Sequence, residues 1–116
     1  MVTRSFRIKC PFPGSVGTGY LGAIPVVVVH THDGELFALM DRCLHQGGTL
    51  SRGRLGLTVS HAAAPGEYRP HDGLVLQCPW HGYEYDVRNG CLLGDPRQRL
   101  RMFKIAREGD EVIVTP

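Results

Sequence analysis

Turn signals punctuate this chain too densely for long helices. Asp33-Gly34, Asn89-Gly90 and Glu108-Gly109-Asp110 each stand between two apolar stretches. Aspartate, asparagine and glycine tolerate the positive φ that a tight turn needs, so each signal predicts a pair of antiparallel strands. The first hairpin pairs residues 26–31 with 35–40, and both residues of Asp33-Gly34 are expected at positive φ in a two-residue turn. The second pairs residues 83–87 with 91–93, and the third pairs 100–106 with 111–115. Phe6 and Ile8 alternate with polar residues and predict a first strand, while residues 74–77 predict a short strand running into Cys78. The count is about eight short strands and no helix, which makes an all-β domain of sandwich or barrel type. Fifteen glycines and eight prolines in 116 residues agree with that architecture.

The length predicts one domain spanning residues 1–116. The net charge of +2 is spread along the chain rather than gathered on one face, which excludes the basic footprint of a nucleic-acid binder. No apolar stretch approaches the ~18 residues of a membrane span. The first residues, Met1 to Phe6, lack the apolar core of a signal peptide, so the expected location is the cytoplasm. In that compartment four cysteines predict metal ligands or buried thiols rather than disulfides.

Two short clusters concentrate the chemistry. One is Cys43-Leu44-His45-Gln46-Gly47-Gly48, the other Cys78-Pro79-Trp80-His81-Gly82. Each follows a predicted strand and offers one thiol and one imidazole, so two loops at strand ends converge on one site. Ordinary core residues are one reading. A structural zinc site is another, although its usual pattern keeps Cys with Cys and His with His on a hairpin and a helix. The third is an iron–sulfur cluster with mixed ligation, two thiolates on one iron and two imidazoles on the other.

The pattern C-x-H … C-x-x-H resembles the Rieske family. Gly47 and Leu50 match the flank of the first motif, and Pro79, Trp80 and Gly82 match the second. Tyr85-Asp86 with Asn89-Gly90 resembles the hairpin after the second motif, and Gly94-Asp95-Pro96 the loop that covers the cluster. The likeness runs from about Val26 to Thr115. It implies a Rieske-like antiparallel β-sandwich or barrel with a small cluster-binding subdomain at about residues 41–96. It also implies one [2Fe–2S] cluster, with Cys43 and Cys78 on one iron and His45 and His81 on the other. One departure stands out: 32 residues separate His45 from Cys78, more than the family's usual spacing. The excess coincides with a stretch at residues 57–72 that has two prolines, two histidines and no apolar pattern, read as an inserted surface loop.

High-potential members add a cysteine to each motif loop and a serine after the second His-Gly. The matching positions are Gly48, Trp80 and Tyr83, so the resemblance implies a low-potential ferredoxin, with Tyr85 left to donate a hydrogen bond to the Cys43 sulfur. No second catalytic domain fits in the residues after His81. The implied role is an electron carrier, not an enzyme, between a flavoprotein reductase and a terminal oxygenase. The alternative is an electron-input subunit of another oxidoreductase, of the nitrite reductase small-subunit type.

Other features carry less. Gly17-Thr18-Gly19-Tyr20-Leu21-Gly22 has dinucleotide-motif spacing but no helix to follow it, and reads as a flexible loop. His30 and His32 read as solvated strand residues, His61 and His71 as surface residues, and Cys10 and Cys91 as small half-buried hydrophobes. Arg97, Arg99 and Arg101 alternate and are expected to line one strand face.

Overall fold

Val26-Val27-Val28-Val29 shows no polar alternation, and a strand with that pattern must be buried on both faces. The computed structural model describes residues 4–44, 48–56, 75–79 and 83–116. In it all four valines are fully buried. The described residues form eleven strands rather than eight. The first four are β1 (Phe6–Lys9), β2 (Ser15–Leu21), β3 (Ile24–His30) and β4 (Leu36–Met40). A single 3-10 turn at Leu50–Arg52 leads into β5 (Arg54–Gly56). Then come β6 (Val75–Gln77), β7 (Glu84–Asp86), β8 (Cys91–Leu92), β9 (Asp95–Arg99), β10 (Met102–Glu108) and β11 (Glu111–Thr115).

Two antiparallel sheets result. The larger has the order β1-β11-β10-β4-β3-β2, the smaller β5-β6-β7-β8-β9. Within β3 the side-chain period of two sorts the valines. Val26 and Val28 join Ala38, Phe103, Val112 and Val114 inside the curl of the larger sheet. Val27 and Val29 point the other way, with Leu39, against Leu76, Tyr85 and Leu92 of the smaller sheet. The small sheet therefore lies on the outer face of a barrel-like large one.

Curling brings the outer strands β1 and β2 together. The crossing explains the glycines of the dinucleotide-like motif. A Cβ on Gly19 would fall 2.3 Å from the Phe6 ring, and one on Gly17 would meet Ile8 at 3.0 Å. Residues 15–21 are thus a full strand paired along its length with β3, not a flexible loop. The predicted hairpins of β3 with β4, β7 with β8, and β10 with β11 all form. The first turn differs in detail. Only Gly34 takes positive φ, because the Thr31 hydroxyl binds the Asp33 carboxylate and accepts the Glu35 N–H at 2.9 Å, which opens a wider loop. Among the described residues no helix is long and apolar enough to cross a membrane.

Candidate metal centre

Cys43 and Cys78 arrive from different strands, one shortly after β4 and the other directly after β6. Both are 1% exposed and belong to one apolar cluster with Leu50, Leu76 and Tyr85. No disulfide links them or the other two cysteines.

Their backbones are anchored in the same way. The Cys43 N–H donates to the Gly48 carbonyl at 2.8 Å, and the Cys78 N–H donates to the Tyr83 carbonyl at 2.7 Å. Each bond closes a six-residue loop, residues 43–48 and 78–83. Closure fixes the cysteine at the base of its loop and holds the loop's two ends together. His45 and His81 fall within these loops but lie outside the described residues, as do Trp80, His61, His71 and the whole 57–72 stretch. The structure thus brings the two predicted thiol donors into one buried cluster and gives no position for the two imidazoles.

Tyr85 sits at the centre of β7, opposite Leu76 and Leu92, and is fully buried. Its Oη lies 3.2 Å from the Leu44 N and 3.3 Å from the Cys43 Sγ. A backbone N–H only donates, so the phenolic oxygen accepts from Leu44. The hydroxyl proton is then left for sulfur, the arrangement a thiolate at Cys43 requires. Burial, and then the neighbouring Cys43 thiol, hold the Tyr85 phenol well above the ordinary tyrosine range. The group therefore stays a protonated donor through neutral and moderately alkaline pH.

A second clamp was not legible in the sequence. Buried Asp41 receives the Ser51 N–H at 2.7 Å and the Ser51 hydroxyl at 2.6 Å, while its own N–H reaches Pro25 at 2.9 Å. It ties the chain just before Cys43 to the 3-10 turn and to the start of β3. Asp41→Ala strips both acceptors from Ser51 and should cost about 2 kcal/mol. Urea denaturation reads the loss directly, and a change below about 0.5 kcal/mol would show that the clamp is not needed. The one sequence signal that could have found it is an aspartate and a serine flanking the first motif.

Other sequence readings need correction. His30 is buried, not solvated, with Nδ1 2.7 Å from the Pro11 carbonyl and 3.6 Å from the Cys10 sulfur. Since a carbonyl only accepts, Nδ1 carries the proton. Cys10 and Cys91 are half-buried as expected. The arginine stripe is broken: Arg97 closes on Asp95 at 3.1 Å, β9 ends at Arg99, and Arg101 stacks 5.0 Å above the Phe103 ring. Gly94-Asp95-Pro96 is a turn glycine followed by the first two residues of β9.

Two buried sulfurs in one apolar cluster, one of them facing a phenolic donor, form a soft donor set suited to iron–sulfur chemistry. The model of the Rieske [2Fe-2S] domain matches residues 2–104. The chain belongs to the Rieske family. The cofactor of a Rieske domain is a [2Fe–2S] cluster, and the described donors of this one fit it. Over 95 residues the Rieske domain is 33% identical to the anthranilate 1,2-dioxygenase large subunit of Burkholderia cepacia, a match covering 82% of this chain. It spans only 19% of that relative's length. Among solved structures, it is similar to the ferredoxin of carbazole 1,9a-dioxygenase from Nocardioides aromaticivorans IC177. The TM-score is 0.68 at 23% identity, over 95% of this chain and 97% of that one. It is also similar to a structure described as a putative NADH-dependent nitrite reductase small subunit from Mycobacterium tuberculosis, with a TM-score of 0.74 at 17% identity, over 100% and 97% of the two chains. At these identities the structural likeness is one of fold.

Proposed function

We propose that this Rieske domain is an electron carrier that passes single electrons from a flavoprotein reductase to a terminal oxygenase. Cys43 and Cys78 hold one iron, and His45 and His81 hold the other. The cluster-binding part covers about residues 41–96 of a single domain, and the 57–72 insertion lies outside the ligand set. One observation carries the reading: the two cysteines share one buried cluster, each at the base of a six-residue loop that its own N–H closes. The similarity to a dioxygenase subunit supports the choice of partner.

When bound, such a cluster takes up and releases one electron. The residues around it provide the rest. Burial of Cys43 and Cys78 keeps water from the thiolates. The bonds that close the loops hold Cys43 and Cys78 in place, so little reorganisation of these two donors accompanies a change of charge. Tyr85 directs its O–H at the Cys43 sulfur and favours the more electron-rich state. At the two added-cysteine positions of high-potential relatives stand Gly48 and Trp80, and Tyr83 replaces their serine. The potential should therefore lie near the low end of the Rieske range, at about −150 mV.

The test is composition and spectrum. Purified protein should contain two irons and two acid-labile sulfides per chain, and on reduction give an EPR signal with nitrogen coupling from two imidazoles. Cys43→Ser and Cys78→Ser should each abolish the colour, whereas Cys91→Ser should leave it. One zinc per chain with no iron would overturn the reading, and a potential well above zero would overturn the low-potential assignment.

A further inference from the structure

A cleft of about 310 Å³ opens beside Cys78, lined by Arg52, Gly53, Arg54, Gln77, Cys78 and Pro79. Its rim is basic. Arg52 and Arg54 are both exposed and stand on either side of Gly53. Among the described residues neither makes an ion pair or a side-chain hydrogen bond. Arg7, Arg88 and Arg97 behave differently, each closing on a carboxylate within 3.1 Å.

The backbone explains why the two arginines stay together. Gly53 lies so close to the Gln77 carbonyl that a Cβ there would be 1.7 Å from its oxygen. The segment Arg52-Gly53-Arg54 is thus pressed against the end of β6, one residue before Cys78. Among the described residues no carboxylate neutralises it. Asp41 faces inward and is occupied by Ser51. Glu84 opposes Gln77, which opposes Arg54, so it stands two strands away from the arginine. The lining also offers an apolar contact, since Pro79 is exposed.

We propose that this cleft is the docking point for an acidic redox protein, which places a surface carboxylate between Arg52 and Arg54 and packs against Pro79. Charge complementarity carries the choice of occupant. Two arginine forks match a carboxylate, and their position brings the partner to the Cys78 side of the centre. Small, weak contacts of this kind, steered by a few charges, suit a carrier that must bind and leave. The inference rests on the electron-carrier reading and adds the partner's charge and the place where it binds.

The experiment uses the cluster-loaded protein and two electron acceptors of opposite charge, plastocyanin (acidic) and cytochrome c (basic). In each case one electron leaves the reduced protein, reducing copper(II) to copper(I) or haem iron(III) to iron(II). At low ionic strength plastocyanin should be reduced faster, and its rate should fall as salt screens the contact. The Arg52→Gln/Arg54→Gln double variant should slow plastocyanin roughly ten-fold and not slow cytochrome c. Arg52→Lys/Arg54→Lys should recover only the part of the rate that charge alone supplies, and Arg107→Gln, on the larger sheet, should change nothing. Anisotropy of dye-labelled plastocyanin gives a readout without electron transfer, and the double Gln variant should weaken binding by a similar factor. Plastocyanin rates that ignore salt, or that survive the double Gln change, would overturn the docking proposal alone. Failure to reduce either acceptor with the cluster present would overturn the electron-carrier reading and the docking proposal with it.

Discussion

Replacing Gly53 by alanine is expected to destabilise the protein by about 3 kcal/mol or more. The cause is steric. Gly53 has φ −82°, an ordinary value for any residue. Its Cβ, however, would lie 1.7 Å from the Gln77 carbonyl oxygen, 2.9 Å from that carbonyl carbon and 3.1 Å from the Leu50 oxygen. These are backbone atoms, and no side chain can rotate to relieve the clash. Either β5 leaves β6 or β6 moves, and Cys78 moves with it. A loss of iron should therefore accompany the loss of stability. Gly34→Ala is the comparison: nothing lies within 4 Å of its Cβ, and only the φ of +91° is at stake, so it should cost about 1 kcal/mol and keep the iron. Denaturant midpoints at unchanged m-value measure both. If Gly53→Ala proves no worse than Gly34→Ala, β5 is not pinned to β6.

Tyr85 should give the second large effect, in two separable parts. Tyr85→Phe keeps the ring and removes the hydroxyl that lies 3.3 Å from the Cys43 sulfur. A neutral hydrogen bond is worth about 1 kcal/mol net. If most of that favours the reduced state, at about 59 mV per 1.36 kcal/mol the potential falls by roughly 40 mV. The raised phenol pKa keeps the wild-type donor protonated, so the gap between the two proteins should stay level from neutral pH to about pH 10. Tyr85→Ala also deletes a fully buried ring and should cost about 3–5 kcal/mol. Voltammetry and chemical denaturation of the pair read the two parts. An unchanged potential in Tyr85→Phe would show that the hydroxyl does not serve Cys43.

The features legible in the sequence were those with local causes. Turn dipeptides located three hairpins, and the unbroken Val26–Val29 run was recognisable as a strand. The motif spacing singled out Cys43 and Cys78, and the family resemblance pointed Tyr85 at the Cys43 sulfur, where its hydroxyl is found. Features with distant causes stayed hidden. Gly17 and Gly19 carry little strand propensity; β2 forms by pairing along its length with β3, and Phe6 and Ile8 occupy the space a Cβ at Gly19 or Gly17 would need. His30 looked solvated because nothing nearby in sequence announces the Pro11 carbonyl as its acceptor. The carbonyls of Gly48 and Tyr83 that close the cysteine loops belong to the backbone and leave no trace in residue identity. Nothing in the residues around them marks Arg52 and Arg54; the fold sets them beside Cys78.

β3 serves as a party wall between two rooms. Val26 and Val28 furnish one, Val27 and Val29 the other, and only the second contains Cys43 and Cys78. The first room draws its contents from β1, β10 and β11 as well as β3 and β4, so its contacts do not depend on what Cys43 and Cys78 hold. Loosening that starts at the motif loops can spread through the small sheet, but it stops at the wall. To pass β3 it would have to expose Val26 and Val28 of the first room, whose contacts come from the larger sheet alone. In a chain built this way the inner core of the larger sheet should stay folded whether or not the metal is bound.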